Sequence, residues 1–440
     1  MWPTSILMGS YSSVFLRFGS SFYLIGLLLT GWSILHGQNA PAPPQEESVT
    51  LRGGTIHTGN GEVIKNAHLK FEHGKITYLG TARQEADRII DVNGYHIYPG
   101  LIAPHTDLGL VEISAVRATR DFQEVGEYNP HVRAIIAYNT DSRILPTVRS
   151  NGILLAGISP QGQIITGQSS VVQLDAWNWE DALVKDTSGI HLNWPRVYTY
   201  DSKSRRLSKD KEYEKNVKNI ERFFESAIAY GHRIDHGKTN LRFEALSGAL
   251  KNQVPVFIRA DHRKAMLDAV DWSKRLGIPI VLVGAEDSWM IAETLAKENI
   301  PVILSSTQRL PRTSDAGITS PFEVPAILEK AGVLWAISHE GSWEQRNLPF
   351  QAGQAVGFGL EEEKAIQAMT LNPARILGID DRYGTLETGK SATLVISDGN
   401  ILDPKSSIIL QAFIDGREID LNNHQKELYR KFAEKYGIEK

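Results

Sequence analysis

Beyond residue 48 the chain opens with short apolar runs at 49–51, 67–71, 75–79, 89–92 and 96–98, separated by Gly53-Gly54, Gly59-Asn60-Gly61, His73-Gly74 and Asn93-Gly94. Runs at this spacing, with glycine- and asparagine-bearing turns between them, predict an antiparallel β unit. A second unit of the same kind is predicted at the other end, through residues 384–395 and 413–419. Between the two the period changes. Apolar runs at 254–258 and 280–283 are each followed by a helical pattern, at 263–276 and 288–298, and further runs come at 301–304 and 333–337. Strand-then-helix repetition implies a parallel sheet. Residues 361–377 predict one more helix, with Ala365, Ile366, Met369 and Ile376 on its apolar face. A last helix at 424–436 carries Leu428, Phe432 and Tyr436 at i, i+4 spacing and is expected to pack on the outside.

The first 40 residues are patterned differently. Arg17 precedes an apolar run at 22–29, and small or turn-forming residues occupy 37–40, the layout of a secretory signal peptide. A membrane anchor fits less well, because the run is interrupted by glycine and falls short of the roughly 20 apolar residues needed to span. The expectation is a signal peptide over 1–38, an exported, periplasmic bacterial protein without a stable membrane anchor, and a proline-rich linker over 39–48, with order beginning near Val49. Composition adds two exclusions. The 440 residues are 42% hydrophobic with a net charge of −4, which suits a globular chain and offers nucleic acid no basic footprint. The absence of cysteine removes disulfides, thiolate ligands and a lipid-modified cysteine.

Candidate chemistry concentrates in Tyr98-Pro99-Gly100-Leu101-Ile102-Ala103-Pro104-His105-Thr106-Asp107. On a strand His105 and Asp107 project to one side and Thr106 to the other, so two ligands could face one divalent ion. The stretch resembles the first barrel strand of the amidohydrolase superfamily, in its imidazolonepropionase-like and dihydroorotase-like branches, which reads Pro-Gly-x-x-Asp-x-His-x-His. Here Ala103 replaces the aspartate and Asp107 the second histidine. Residues 384–395 resemble the family's closing strands, with Thr393 for the usual aspartate, and the resemblance runs from about Val49 to Asp420. A glycine-flanked loop at 162–170 and Arg346-Asn347-Leu348-Pro349-Phe350 resemble stretches of an exported bacterial subgroup. The fold so implied is α/β: a TIM-type (β/α)8 barrel over 99–380, a small β-sandwich built from 49–98 and 381–420, and a C-terminal helix within 421–440.

The resemblance also implies an activity, metal-assisted hydrolysis of a carbon–nitrogen bond other than a peptide bond, at the C-terminal ends of the barrel strands. Aligned residue by residue, it sets Arg259 at the histidine position of strand 5, Gly284 at that of strand 6 and Glu340 at the aspartate position of strand 8. His105, Asp107 and Glu340 are the remnant metal ligands, for one divalent ion, zinc first, or for none. Arg259 cannot ligate, since its guanidinium has donors only, and a cation in the same mouth repels a metal. It either bridges Asp107 and Glu340 in the metal's place or points to solvent or Asp261. Glu340 and His339 are the candidate catalytic groups, Arg346 and Arg259 the candidate substrate-binding groups; for His262 and His339 a structural role competes with acid catalysis. Two functions stay open: a hydrolase of a small-molecule substrate, or an inactive relative that binds a ligand or an active amidohydrolase paralogue, either one as a homo-oligomer or alone.

Overall fold

The computed structural model describes residues 40–201, 206–233, 238–312, 316–339 and 341–438; the expected signal peptide and Glu340 lie outside the described residues. The chain begins with β1 (Val49–His57), β2 (Val63–Glu72), β3 (Lys75–Gly80), β4 (Arg88–Asp91) and β5 (His96–Pro99). It then lays down β6 (Leu101–Thr106), β7 (Ile153–Ile158), β8 (Ile165–Gln173) and β9 (Leu183–Asn193). After the paired β10 (Tyr198–Asp201) and β11 (Arg206–Lys209) come β12 (Val256–Ala260), β13 (Ile280–Gly284), β14 (Val302–Leu304) and β15 (Trp335–Ile337). The chain closes with β16 (Leu394–Ser397), β17 (Ile409–Ile414) and β18 (Arg417–Glu418).

Both ends build one terminal sheet, in the order β18-β17-β16-β5-β1-β2-β3 with β4 on β1. The junction is β16 against β5, antiparallel, Leu394 opposite Pro99 and Ser397 opposite His96. Phe71 on β2 and Phe413 on β17 stand four places apart in this order, about 19 Å in a flat sheet. Their rings nevertheless meet edge to face at 5.1 Å, so the sheet folds over a single core that includes Leu51, Ile56, Leu69, Ile97 and Leu394. Ile76 N–H donating to the Lys390 carbonyl at 2.9 Å ties the far edge back. The two termini therefore share one wrapped sheet.

Order begins before Val49, contrary to the linker expectation. Ala42 N–H donates to Asp175 Oδ2 at 2.8 Å, Arg417 donates to the Ala42 carbonyl at 3.0 Å, and Gln45 Oε1 accepts from Gly74 N–H at 2.8 Å. A proline-rich segment cannot join a ladder, but its remaining backbone groups can be held singly by buried side chains.

The central sheet runs β6-β7-β8-β9-β12-β13-β14-β15, a mixed α/β arrangement whose end strands nearly meet. Ser338 Oγ donates to the His105 carbonyl at 2.7 Å across that seam. Neighbours are parallel except β8, which is antiparallel to both β7 and β9. Parallel neighbours need a crossover of a dozen or more residues, and the link 159–164 is too short for one. The stretch expected as a loop at 162–170 is thus a tight turn leading into β8. From β12 onward strand and helix alternate as the pattern predicts, and the helices Arg263–Leu276 and His424–Tyr436 have the expected ends.

The helix expected at 361–377 is two, Glu362–Gln367 and Leu371–Leu377. Pro373 has no N–H to give the Met369 carbonyl four residues back, which weakens continuity at this point. The break leaves two carbonyls for the sheet: Ala368 accepts Ile337 N–H at 3.1 Å and Met369 accepts Ile102 N–H at 2.8 Å. The two seam strands are satisfied by the gap between two helices.

Candidate functional site

One buried cluster takes a side chain from strand after strand of the central sheet: Ile102, Leu155, Val171, Phe257, Ile303 and Ala336. Because strand residues alternate, Arg259, two beyond Phe257, emerges on the same side at the C-terminal end of β12. His191 on β9 is opposite Phe257 in the ladder and stacks on its ring, centroids 4.9 Å apart and planes 5° apart. His105, at the end of β6, faces His191 with ring centroids 5.3 Å apart. Three strands, β6, β9 and β12, converge on one mouth.

The electrostatics of that mouth follow from burial and one cation. Burial, then the Arg259 charge, lowers the His105 pKa from 6.5 to about 4, against a smaller upward effect of a backbone hydrogen bond. Burial and then His105 hold His191 well below its ordinary value. Both imidazoles are neutral at neutral pH, and His191 Nε2 is buried without a hydrogen-bond partner. Just past β6, Asp107 Oδ2 accepts from Gln161 Nε2 at 2.8 Å, while Oδ1 is buried without a partner. Burial raises the Asp107 pKa, a backbone hydrogen bond opposes this and Glu344 adds to it, so the carboxyl is biased toward its protonated form.

Two cavities open here. An inner one of 230 Å³ is lined by His105, Asp107, Gln161, Arg259, Ser305 and His339. An outer cleft of 1660 Å³ shares His105, Gln161 and Arg259 with it and extends past β9 toward the β10–β11 pair. Of the residues singled out in the sequence, His105, Asp107, Arg259 and His339 thus come together. Glu340 lies outside the described residues. His262 caps the helix Arg263–Leu276, its Nδ1 accepting Lys264 N–H at 3.1 Å, which is a structural role. Arg346 donates to the Trp343 carbonyl at 2.8 Å and lies over that indole at 5.3 Å, and it lines neither cavity.

His191 and Gln161 escaped sequence reasoning. His191 sits among Gly189, Ile190 and Leu192 on a strand buried on both faces, where one polar residue reads as noise; a histidine two residues before a strand's end was the available signal. A divalent ion does not fit what is described. Among the described residues no three histidine, aspartate or glutamate side chains assemble as a metal site, and the Arg259 charge already bears on His105.

Comparison with known proteins adds four observations. The amidohydrolase family model matches residues 345–420. An imidazolonepropionase of Kosmotoga olearia is 24% identical over 373 residues, covering 76% of this chain and 84% of that protein. The amidohydrolase tasK of Hapsidospora irregularis is 31% identical over 119 residues, so this chain spans only 12% of that protein's length. The crystal structure of an amidohydrolase from Thermotoga maritima superposes with a TM-score of 0.69 at 25% identity, covering 84% of this chain and 99% of that one.

Proposed function

The chain belongs to the amidohydrolase superfamily, and from that premise we propose that the mouth of its central sheet is an active site that hydrolyses a carbon–nitrogen bond other than a peptide bond in a small anionic molecule. On this reading the nearly closed sheet is the family's eight-stranded barrel with its third strand reversed. The observation that carries the proposal is the convergence of His105, His191, Asp107 and Arg259 at the strand ends, lining or flanking one small cavity. Arg259 supplies a fixed positive charge beside which a carbonyl oxygen can become an oxyanion. Asp107, whose pKa burial raises above the ordinary carboxyl value, is placed to pass a proton to the departing nitrogen, and a neutral imidazole of His105 or His191 can take one from the attacking water. Superfamily members are usually metal-dependent, but no step here is routed through a metal, since the described donors do not form its site.

The same missing donor set favours a second reading, a relative that binds its ligand through Arg259 without turning it over. One experiment separates the two. Purified without chelator, the protein is expected to carry far less than one equivalent of transition metal, and it is offered cyclic amides and N-acyl amino acids while ring opening and amine release are followed. Turnover abolished in His105→Ala and Asp107→Asn supports the hydrolase. Saturable binding of the same compounds, lost in Arg259→Ala and never accompanied by product, supports the binding protein. Stoichiometric metal with hydrolysis lost in His105→Ala would overturn the metal-free reading. We place the protein outside the cytoplasm, on the pattern of residues 1–38 alone.

A further inference from the structure

The inner cavity suits a small reacting group, yet it opens into a cleft of 1660 Å³, beyond the about 300–1,000 Å³ of an ordinary small-molecule site. A small cyclic amide would leave most of that cleft empty. Its walls are chemically biased. One wall is a face of the helix Tyr213–Gly231, whose adjacent face buries Ile220, Phe224 and Ala227 in the core. The cleft-lining positions Asn216, Asn219, Arg222, Phe223 and Ser226 recur every three to four residues and carry no acid. Phe223 is braced by Tyr128, ring centroids 4.7 Å apart. The same cleft is also lined by Arg196, which precedes β10, and by Arg263, which opens the helix after β12.

Charge pairing sorts the arginines of the cleft. Arg312 is already engaged, 3.4 Å from Glu286 and 3.6 Å from Asp287, and Arg259 belongs to the inner mouth. Arg196, Arg222 and Arg263 come from three separate elements, and their side chains form no ion pair or hydrogen bond among the described residues. The cleft is lined by five arginines against three acids, Glu127, Asp261 and Asp287, so its lining is net positive and favours an anionic ligand.

The geometry points to an outer subsite, formed by Arg196, Arg222 and Arg263 with the Asn216–Ser226 face, that binds the anionic tail of an elongated ligand whose reacting end lies at Arg259 and His105. It rests on the proposed site for the location of that reacting end. The ligand class is an extended, amide- or hydroxyl-bearing acid with a carboxylate or phosphate at its far end. Guanidinium groups recognise both oxyanions, the helix amides and hydroxyl suit the neutral stretch between, and Tyr128, Phe223 and Tyr198 give it faces to lie on.

The test measures binding directly, by calorimetry, so absence of turnover leaves it intact. The probes are N-acetylglutamate and N-acetylated glutamate oligomers of two and three residues, with pyrophosphate as a competitor. Affinity is expected to rise about tenfold from the monomer to the trimer. The double variant Arg222→Ala, Arg263→Ala is expected to erase that rise while leaving monomer binding and the melting temperature unchanged. Arg259→Ala is expected to weaken all lengths alike. Displacement of the trimer by pyrophosphate at lower concentration than by free glutamate would assign the subsite to a phosphate tail, and the reverse order to a carboxylate. Equal affinity at every length, or a length dependence surviving in the double variant, would overturn the subsite.

Discussion

The carboxylate of Asp261 occupies the space in which a side chain on Gly284 would have to begin. A Cβ at position 284 would collide with Asp261 Oδ1, and Gly284 holds a φ of 85°, a conformation other residues adopt at a cost. The histidine that the family resemblance implies at this position therefore has no room in this chain, because the Asp261 carboxylate, one residue past the end of β12, fills the space. Gly284→Ala is expected to destabilise the protein by about 1–3 kcal/mol in urea or thermal unfolding. Gly284→His should cost more and gain no zinc, and Asp261→Ala should recover part of the loss in the double variant. An unchanged melting temperature in Gly284→Ala would show that the loop gives way freely.

The paired imidazoles make stability depend on pH. His105 has a folded-state pKa of about 4 and His191 one well below 6.5, both under the unfolded value, so on acidification the unfolded chain takes up protons first. Their contribution is complete above about pH 6.5 and declines as pH falls toward 4, by about 3 kcal/mol for His105 alone. His191→Phe, which keeps a ring against Phe257, should flatten the fall in melting temperature between pH 7 and 4.5. Parallel profiles for variant and parent would remove the histidines from this role.

Asp175 is a buried anchor for three separate stretches of chain. Its carboxylate takes Arg149 at 2.5 Å, Arg417 at 3.1 Å and the Ala42 N–H, and both it and Arg149 are nearly inaccessible. Asp175→Asn keeps the shape but leaves Arg149 as an uncompensated buried charge, a loss of about 3–5 kcal/mol. Limited proteolysis should then cut within residues 41–48, where the parent resists. Equal resistance in the variant would show that Gln45 and the neighbouring strands suffice.

Removing residues 384–440 takes β16, β17 and β18 from the terminal sheet and uncovers the edge of β5 along with Phe71 and Ile97. Insoluble protein is the expected result; a soluble, cooperatively melting product would mean that the central sheet stands without the terminal one.

Export carries its own check. Recovered from its native host, the mature chain is expected to start between Gly37 and Pro44, and the hold of Asp175 on Ala42 favours a start no later than Pro41. An intact Met1 in cytoplasmic protein would contradict it.

Where one physical preference dominates, the sequence is a sufficient guide. The helices Arg263–Leu276 and His424–Tyr436 have strong periodicity, a side-chain cap at the start and a left-handed glycine at the end, and their limits were readable to the residue. The strands from β12 to β15 were readable as apolar runs to within two residues. The reversal of β8 was not, because its direction is set by the length of a turn while its composition reads like any buried strand. Nor was the split at residues 368–370, where hydrogen bonds to distant strands outweigh a continuous apolar face. In the site, the strand motif pointed to His105 and Asp107, and the substitution of a ligand position pointed to Arg259. His191 and Gln161 act through spatial neighbours far away in the chain; only the place of His191 near a strand's end hints at its role, and no local pattern marks Gln161.

The pairing of β5 with β16 sets a clock on folding. Roughly 300 residues separate these partners, so a ribosome working at about 5–20 residues per second needs about 15–60 s to deliver the second after the first. Throughout that interval the opening strands have no permanent neighbour on one side, and the core around Phe71 lacks Phe413. The terminal sheet can therefore be completed only after nearly the whole chain has been made, and the growing polypeptide has to be kept from premature association until its last strands arrive.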